Sequence, residues 1–127
     1  MSDMTKEERS LQIWQVLISA AYNRQLFTYE LIADLIGVGK DGKGAIALGY
    51  YLGALMQYCK EKRFPPITAL VVKKGTGKPG SGLRTLSRHP DRDREKVFKY
   101  AWFKEHPLQI HELTPFFSGR RKDYAHH

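Results

Sequence analysis

The sequence predicts an α+β domain, mostly α, with the element order of a winged helix-turn-helix domain: helices, a short β-ribbon and a C-terminal helix. Three observations support this order. Apolar residues recur at helical spacing, a β-branched segment follows a proline pair, and a glycine-rich loop follows that segment. The 127 residues, 42% hydrophobic and 27% charged, suffice for one globular domain. We expect this domain over residues 1–113 and a basic, partly flexible tail over residues 114–127.

The first two helices are marked by their capping residues. Thr5 and Glu8 have the spacing of a capping box, and the apolar residues behind them predict a helix over residues 6–22. After a connector over residues 23–27, Thr28 is a suitable N-cap for a helix over Tyr29–Ile36, which Gly37 ends. In this second helix we expect the following residues to face the core: Leu31, Ile32, Leu35 and Ile36.

A third helix is predicted from residue 45 to about residue 62, after a glycine- and lysine-rich loop over residues 38–44. Gly49 and Gly53 are expected to let a neighbouring helix approach closely. Tyr50, Tyr51 and Tyr58 are expected to be exposed, where they would suit contacts with nucleic acid and with protein equally well. The predicted buried stripe consists of Leu48, Leu52, Leu55, Met56 and Cys59.

The β-ribbon and the last helix follow a proline pair. Residues 67–74 are rich in β-branched side chains and predict a strand. Residues 75–83 form the predicted wing, and residues 83–86 a short return strand. A last helix begins at Pro90 and closes at His106. Its predicted inner face consists of Val97, Phe98, Ala101 and Trp102, and Trp14 of the first helix is also expected in the core.

The charge of the chain indicates the kind of partner. An excess of 21 Lys and Arg over 13 Asp and Glu gives a net charge of +8. Such an excess favours nucleic acid, because each neutralised phosphate releases counterions; a basic protein without a polyanionic partner is the alternative. The single Cys59 excludes an internal disulfide and fits a reducing compartment. No apolar stretch reaches membrane-spanning length, so we expect a cytoplasmic protein without membrane contacts.

Two glycine-rich segments imitate nucleotide-binding loops. Residues 37–44 have the GxxxxGK core of a P-loop with Gly44 in place of Ser or Thr, and residues 75–80 match GxGxxG without a following helix. We interpret both as loops that offer backbone N–H groups and lysines to phosphates. The potential metal ligands of the C-terminal third match no ligand spacing, so we expect no metal, no cofactor and no enzymatic activity. These residues are His89, Asp91, Asp93, Glu95, His106 and His111.

The run from Phe27 to Leu83 contains the segments FTYELIADLIG, AIALGYYLGAL and FPPITALVVKKGTGKPGSGL. It resembles the DNA-binding domain of alkylguanine-DNA alkyltransferases and of alkyltransferase-like proteins. In that family a Thr/Ser-Tyr pair opens a short helix, a helix rich in small residues follows, and a proline-led strand leads into a glycine-rich wing. The resemblance implies a winged-helix fold and DNA as the partner.

The resemblance also implies roles for individual residues. Tyr29, in the Thr28-Tyr29 pair, matches the family's tyrosine that sits against the DNA backbone. Ile46 stands where the family has an intercalating arginine, so an apolar wedge replaces a hydrogen-bonding finger. The family's Pro-Cys-His-Arg nucleophile motif is missing, because the strand after Pro66 contains no Cys and no His. We therefore expect no alkyl transfer, and we interpret Cys59 as a small buried hydrophobe.

Two function hypotheses follow. The first is a non-catalytic protein that binds DNA, and we expect the DNA to be a duplex. In this hypothesis the third helix lies at a groove, and the basic loop and the wing contact the phosphate backbone. The second is an adaptor that uses the same fold to bind a protein of a repair, regulatory or defence nuclease system. An exposed surface of Tyr50, Tyr51, Phe116 and Phe117 would favour the adaptor. The predicted DNA contacts are Thr28, Tyr29, Lys40, Lys43, Ile46, Tyr50, Lys73, Lys74, Lys78 and Arg84, and Arg88 extends this basic patch.

Overall fold

The computed structural model describes residues 4–39, 42–73 and 90–117, and it confirms a mostly helical α+β chain. Five α-helices and one pair of short strands make up the described residues, with 3₁₀ turns at Ile67–Leu70 and Trp102–Lys104. The elements are α1 (Lys6–Tyr22), β1 (Phe27–Thr28), α2 (Tyr29–Ile36), α3 (Gly42–Lys62), β2 (Val71–Val72), α4 (Pro90–Lys99) and α5 (Ile110–Phe117).

The predicted capping box starts α1 as expected. The backbone N–H of Glu8 donates to Thr5 Oγ1 at 3.0 Å, and the N–H of Thr5 donates to Glu8 Oε1 at 2.8 Å. These two bonds satisfy donors that a helix start otherwise leaves unpaired. The inward face of α1 includes Trp14, which is buried as predicted and whose ring meets Tyr58 and Trp102 edge to face. Helix α1 therefore forms one wall of the core.

Helix α2 has the predicted bounds, but two of its apolar residues face solvent. The N–H of Leu31 donates to the Thr28 hydroxyl at 3.1 Å, and Gly37 ends the helix in the left-handed conformation at φ 77°. Ile32 and Ile36 are buried as expected, whereas Leu31 and Leu35 are 42% and 49% exposed, which corrects the prediction for these two residues. The reason is geometric: α2 packs on one side and buries the arc formed by Ile32, Ala33 and Ile36. Leu31 and Leu35 each precede a buried isoleucine and point about 100° away from it, outside this arc.

Helix α3 begins at Gly42, earlier than predicted, and its predicted buried stripe is confirmed. Tyr58, which was expected to be exposed, is instead 2% exposed. Its ring lies between those of Trp14 and Phe116, at centroid distances of 5.4 and 6.4 Å. Because α5 covers this side of α3, the second half of α3 is buried over a wider arc than the sequence pattern indicated.

The glycines of α3 differ in their surroundings. Among the residues that the structure describes, a Cβ added at Gly49 or Gly53 would meet no atom within 4 Å, so the prediction that these glycines admit a neighbouring helix is wrong for the described helices. A Cβ at Gly44 would overlap the carbonyl oxygen of Gly39. The close backbone approach therefore occurs at the start of α3, where the preceding loop crosses it.

The predicted strand over residues 67–74 is only partly a strand. Ile67–Leu70 is a buried 3₁₀ turn, and only Val71–Val72 pairs, in parallel, with Phe27–Thr28. The turn packs against α1, α3 and α4 at once, so burial from several sides outweighs the β-propensity of its residues. A parallel pair is not the hairpin ribbon that the winged-helix prediction requires. The predicted wing and return strand lie outside the described residues.

The C-terminal region contains two helices where one was predicted. Helix α4 ends at Lys99, and Ala101 is exposed, contrary to its predicted place on the inner face. Val97 and Trp102 are buried as predicted, and Phe98 is half-buried; the Trp102 indole N–H donates to the Val97 carbonyl at 2.8 Å. This side-chain bond to the backbone accompanies the change of direction after α4.

Helix α5 was not predicted, and it crosses residue 113, the predicted end of the domain. Its residues Leu113, Phe116 and Phe117 are buried at the helical spacing of three and four. The N–H of Gln109 donates to the Glu112 carboxylate at 2.9 Å, in the manner of a capping box. Helix α5 therefore packs into the core beside α1 and α3.

Candidate nucleic-acid interface

Three of the predicted DNA contacts lie on one side of α3. Lys43, Ile46 and Tyr50 are separated by three and four residues, so they share a face of the helix. All three are exposed, and Ile46 is 65% exposed. Gly49 and Gly53 continue this stripe at the same spacing. We refer to Lys43, Ile46, Gly49, Tyr50 and Gly53 as the α3 face.

The α3 face is uncharged after its first turn. The whole stretch from Ala45 to Cys59 contains no Asp, Glu, Lys or Arg. No atom of the described residues lies within 4 Å of a Cβ added at Gly49 or Gly53, although glycine in a helix interior costs about 0.5–1 kcal/mol relative to alanine. No packing among the described residues offsets this cost. Two solvent-accessible glycines on an uncharged part of the helix suit a partner that approaches the helix backbone closely.

A second group of predicted contacts is brought together by the sheet. The register pairs Thr28 with Val72 in parallel, so the chain leaves both strands at the same end, toward Tyr29 and Lys73. Thr28 caps α2 through its hydroxyl oxygen, and Lys73 is exposed. The Tyr29 side chain is half-buried and packs against the core. The start of α2 and the end of β2 therefore lie side by side.

The remaining predicted contacts lie outside the described residues. They are Lys40, Lys74, Lys78, Arg84 and Arg88.

The exposed side of α2 has a different character from the α3 face. Glu30 and Asp34 are exposed one turn apart, and each directly precedes an exposed leucine, Leu31 or Leu35. Carboxylates repel phosphates, so this side of α2 is unsuited to the DNA backbone. Acidic and apolar residues together are better suited to a protein surface.

The aromatic surface that would favour an adaptor does not form. Tyr50 is exposed and Tyr51 half-buried, but Phe116 and Phe117 are 4% and 5% exposed and belong to the core. Lys6 of α1 lies over the Phe117 ring at 5.6 Å. The two phenylalanines lie three and four residues after Leu113 on the buried face of α5, so they belong to the core and not to a tail.

Cys59 is buried on α3, as predicted from its place in the apolar stripe. Burial raises the pKa of this thiol to about 12, although a hydrogen bond with the backbone of Ile67 opposes the rise. Because the thiolate is the reactive form, the native Cys59 side chain is a weak nucleophile at neutral pH.

A polar network lies at the start of α5. His106 Nε2 is 3.4 Å from the Glu112 carboxylate, which also accepts the bond from Gln109. Burial alone would raise the pKa of Glu112, but the Gln109 N–H, His106 and the charge of Lys62 together lower it. Burial, and then the Glu112 charge, raise the pKa of Tyr58 to about 12. The network thus holds Glu112 ionised beside a neutral tyrosine.

The candidate metal ligands do not converge within residues 4–39, 42–73 and 90–117, which contain no group of three or more His, Cys, Asp or Glu side chains suited to a metal. Asp91 lies 3.3 Å from Arg94, and Glu95 lies 3.1 Å from Arg24. His89 lies outside the described residues. Asp91 and Glu95 therefore form ion pairs with arginines, and the latter pair links α4 to the end of α1.

One surface feature was not anticipated from the sequence. Tyr22 and Phe103 are 74% and 66% exposed, and their ring centroids lie 5.4 Å apart. They line a cleft of about 340 Å³ at the end of α1. The only sequence signal was that Tyr22 lies at the end of the apolar pattern of α1.

No protein-family model, curated protein or solved structure matches this chain. Within the described part of the chain, no helix combines the length and apolar character needed to cross a membrane.

Proposed function

We propose that this protein is a non-catalytic DNA-binding protein in which α2 and α3 act as a helix-turn-helix of the winged, alkyltransferase-like kind. The observation that carries the proposal is the α3 face, where a lysine, an exposed isoleucine and an exposed tyrosine flank two open glycines. The order α2, Gly37, α3 and the net charge of +8 support the same proposal. The free, buried Cys59 fits a reducing location, for which we propose the cytoplasm.

In this proposal α3 lies against a groove of duplex DNA. Ile46 and Tyr50 contact sugars or base edges, and an apolar side chain of this kind can wedge between base steps. Lys43, in the first turn of α3, binds a phosphate, aided by the positive end of the helix dipole. Thr28, Tyr29 and Lys73 contact the backbone at a second position.

A salt titration of duplex binding tests the electrostatic part of this proposal. If about five phosphates are neutralised, log K should fall with log salt concentration with a slope near −4 to −5. Lys43→Ala should flatten the slope by about one unit. Lys96→Ala is the matched control, because it removes the same charge from the exposed side of α4, which packs on α1 and the Ile67–Leu70 turn.

The comparison of the two variants decides the outcome. We expect the Lys96→Ala protein to keep the wild-type slope. Equal effects of the two substitutions would mean that charge acts without regard to position, and an affinity independent of salt would contradict phosphate binding altogether.

A second candidate function is that of a protein-interaction adaptor, favoured by the exposed leucines of α2. Leu31 and Leu35 are exposed one turn apart, beside the exposed acidic residues Glu30 and Asp34, and together they form an amphipathic surface. Leu35→Ser distinguishes the two functions when compared with Ile46→Ser. If the protein binds DNA through α3, Ile46→Ser should weaken duplex affinity and Leu35→Ser should not. If the protein is an adaptor, the wild type should show no specific affinity for the duplex.

A further inference from the structure

An aromatic cleft lies at the end of α1, apart from the α3 face. Its lining includes Tyr22, Phe98, Tyr100, Trp102, Phe103 and Lys104, which come from α1, the end of α4 and the turn that follows. Neither α2 nor α3 contributes a lining residue. The cleft has a volume of about 340 Å³, and aromatic rings form most of its wall.

The two outermost rings are unusually accessible. Tyr22 is 74% exposed and Phe103 is 66% exposed, and they meet edge to face with centroids 5.4 Å apart. The buried Trp102 ring also lines the cleft, and its indole N–H donates to the Val97 carbonyl. Two large exposed rings present apolar surface to water, which marks an interaction site.

Lys104 is the basic side chain at the cleft that forms no ion pair among the described residues, whereas Arg24 is paired with Glu95. Lys104 lines the cleft, and the Arg24 guanidinium lies 5.3 Å from the centroid of the Phe98 ring. The two nearby carboxylates are already engaged: Glu95 lies 3.1 Å from Arg24, and Glu105 accepts a hydrogen bond from the Tyr100 hydroxyl. The cleft therefore suits a ligand that has both a flat apolar surface and a negative charge.

We propose that the aromatic cleft binds an unpaired nucleotide of a single-stranded nucleic acid, with the base stacked on Tyr22 or Phe103 and the phosphate near Lys104. Aromatic stacking combined with basic side chains is the usual physical basis of single-strand binding. A nucleotide carries the flat ring and the charge in one unit, whereas a peptide needs two residues in the correct order. The proposal does not depend on the α3 face.

The test compares two labelled strands by fluorescence anisotropy at low salt. One is a dodecamer of deoxythymidine, and the other is a dodecamer of abasic sites with the same phosphates. Stacking of one base should make the thymidine strand bind about 5- to 150-fold more tightly than the abasic strand. Tyr22→Ala and Phe103→Ala should remove this difference, whereas Tyr22→Phe should keep it because the ring remains.

Two controls separate this proposal from the others. Ile110→Ala removes an exposed apolar side chain from α5 and should leave both affinities unchanged. A blunt duplex should bind the Tyr22→Ala protein as tightly as it binds the wild type. The duplex experiment therefore tests DNA binding by the α3 face, and the single-strand experiment tests the cleft separately. Thermal melting followed by circular dichroism checks that each variant is folded.

Equal binding of the thymidine and abasic strands would overturn the proposal, as would an alanine variant that keeps the difference between them. A labelled peptide with one tryptophan between aspartates examines the protein alternative. If Tyr22→Ala weakens binding of this peptide and leaves thymidine binding unchanged, the cleft recognises protein and the proposal is wrong.

Discussion

The substitution Gly49→Ala should stabilise the protein and at the same time weaken its binding to DNA. A Cβ at position 49 would meet no atom of the described residues within 4 Å, so these residues accept the methyl group without strain. Alanine in a helix interior is favoured over glycine by about 0.5–1 kcal/mol, because glycine loses more backbone entropy on folding. For a domain of this size the melting temperature should rise by roughly 2–5 °C.

The effect on binding should have the opposite sign. If the DNA approaches the backbone at Gly49, an added methyl group overfills the interface, at a cost of about 1–3 kcal/mol by analogy with overpacked cores. This cost corresponds to a loss of duplex affinity of roughly 5- to 150-fold. Thermal melting and fluorescence anisotropy on the same protein sample measure the two effects.

Gly44→Ala is the matched control in the same helix. A Cβ at this position would overlap the Gly39 carbonyl, so the melting temperature should fall rather than rise. A Gly49→Ala protein that melts lower than the wild type would contradict the open environment described for this residue. A higher melting temperature with unchanged affinity would mean that the α3 face does not contact DNA.

Three further predictions concern the protein without a partner. The fold lowers the pKa of Glu112 below its ordinary value of 4.5. Glu112 therefore contributes stability at pH values above 4.5, and this contribution is lost as the pH falls through the pKa of the folded state. Urea titrations below pH 4.5 should therefore show a steeper loss of unfolding free energy for the wild type than for Glu112→Gln, and parallel curves would refute the role given to this carboxylate. Burial raises the Cys59 pKa to about 12, so Ellman's reagent at pH 8 should react slowly with the native protein and rapidly after guanidinium is added; equal rates would contradict a buried thiol. Thr5→Ala removes one half of the capping box and should lower the unfolding free energy by about 1 kcal/mol, as measured by urea denaturation, and a cost near zero would mean that the cap adds little to the helix.

Local signals were sufficient to predict α1 and α2. The Thr5 and Thr28 caps and the Gly37 terminator act on their own backbone, so the sequence alone locates the ends of these helices. The 3.6-residue period also predicts that Ile46 and Tyr50 share a side of α3. Lys43 was predicted in the preceding loop, and it joins this side only because α3 begins at Gly42.

Features that depend on distant packing could not be read in the same way. Ile67–Leu70 has strand propensity, but α1, α3 and α4 surround it and it folds as a 3₁₀ turn. Leu31 and Leu35 have the same apolar character as Ile32 and Ile36, and only the position of the core distinguishes the two pairs.

The aromatic cleft is the extreme case of this dependence. Tyr22 and Phe103 are far apart in sequence and meet only because the turn after α4 returns to the end of α1. Neither residue belongs to a motif, so no spacing rule indicates the pair. Helix α5, by contrast, carries a readable signal in the spacing of Leu113, Phe116 and Phe117.

Mapping the DNA contacts by nuclear magnetic resonance is the most direct test of the proposed function. A blunt duplex would be titrated at low salt into ¹⁵N-labelled protein, and the backbone amide shifts would be followed residue by residue. We expect the largest changes at Lys43, Ile46, Gly49 and Tyr50, with Leu113 of the core unaffected. Changes concentrated at Leu31 and Leu35, or no changes along α3, would contradict the binding of DNA through the α3 face.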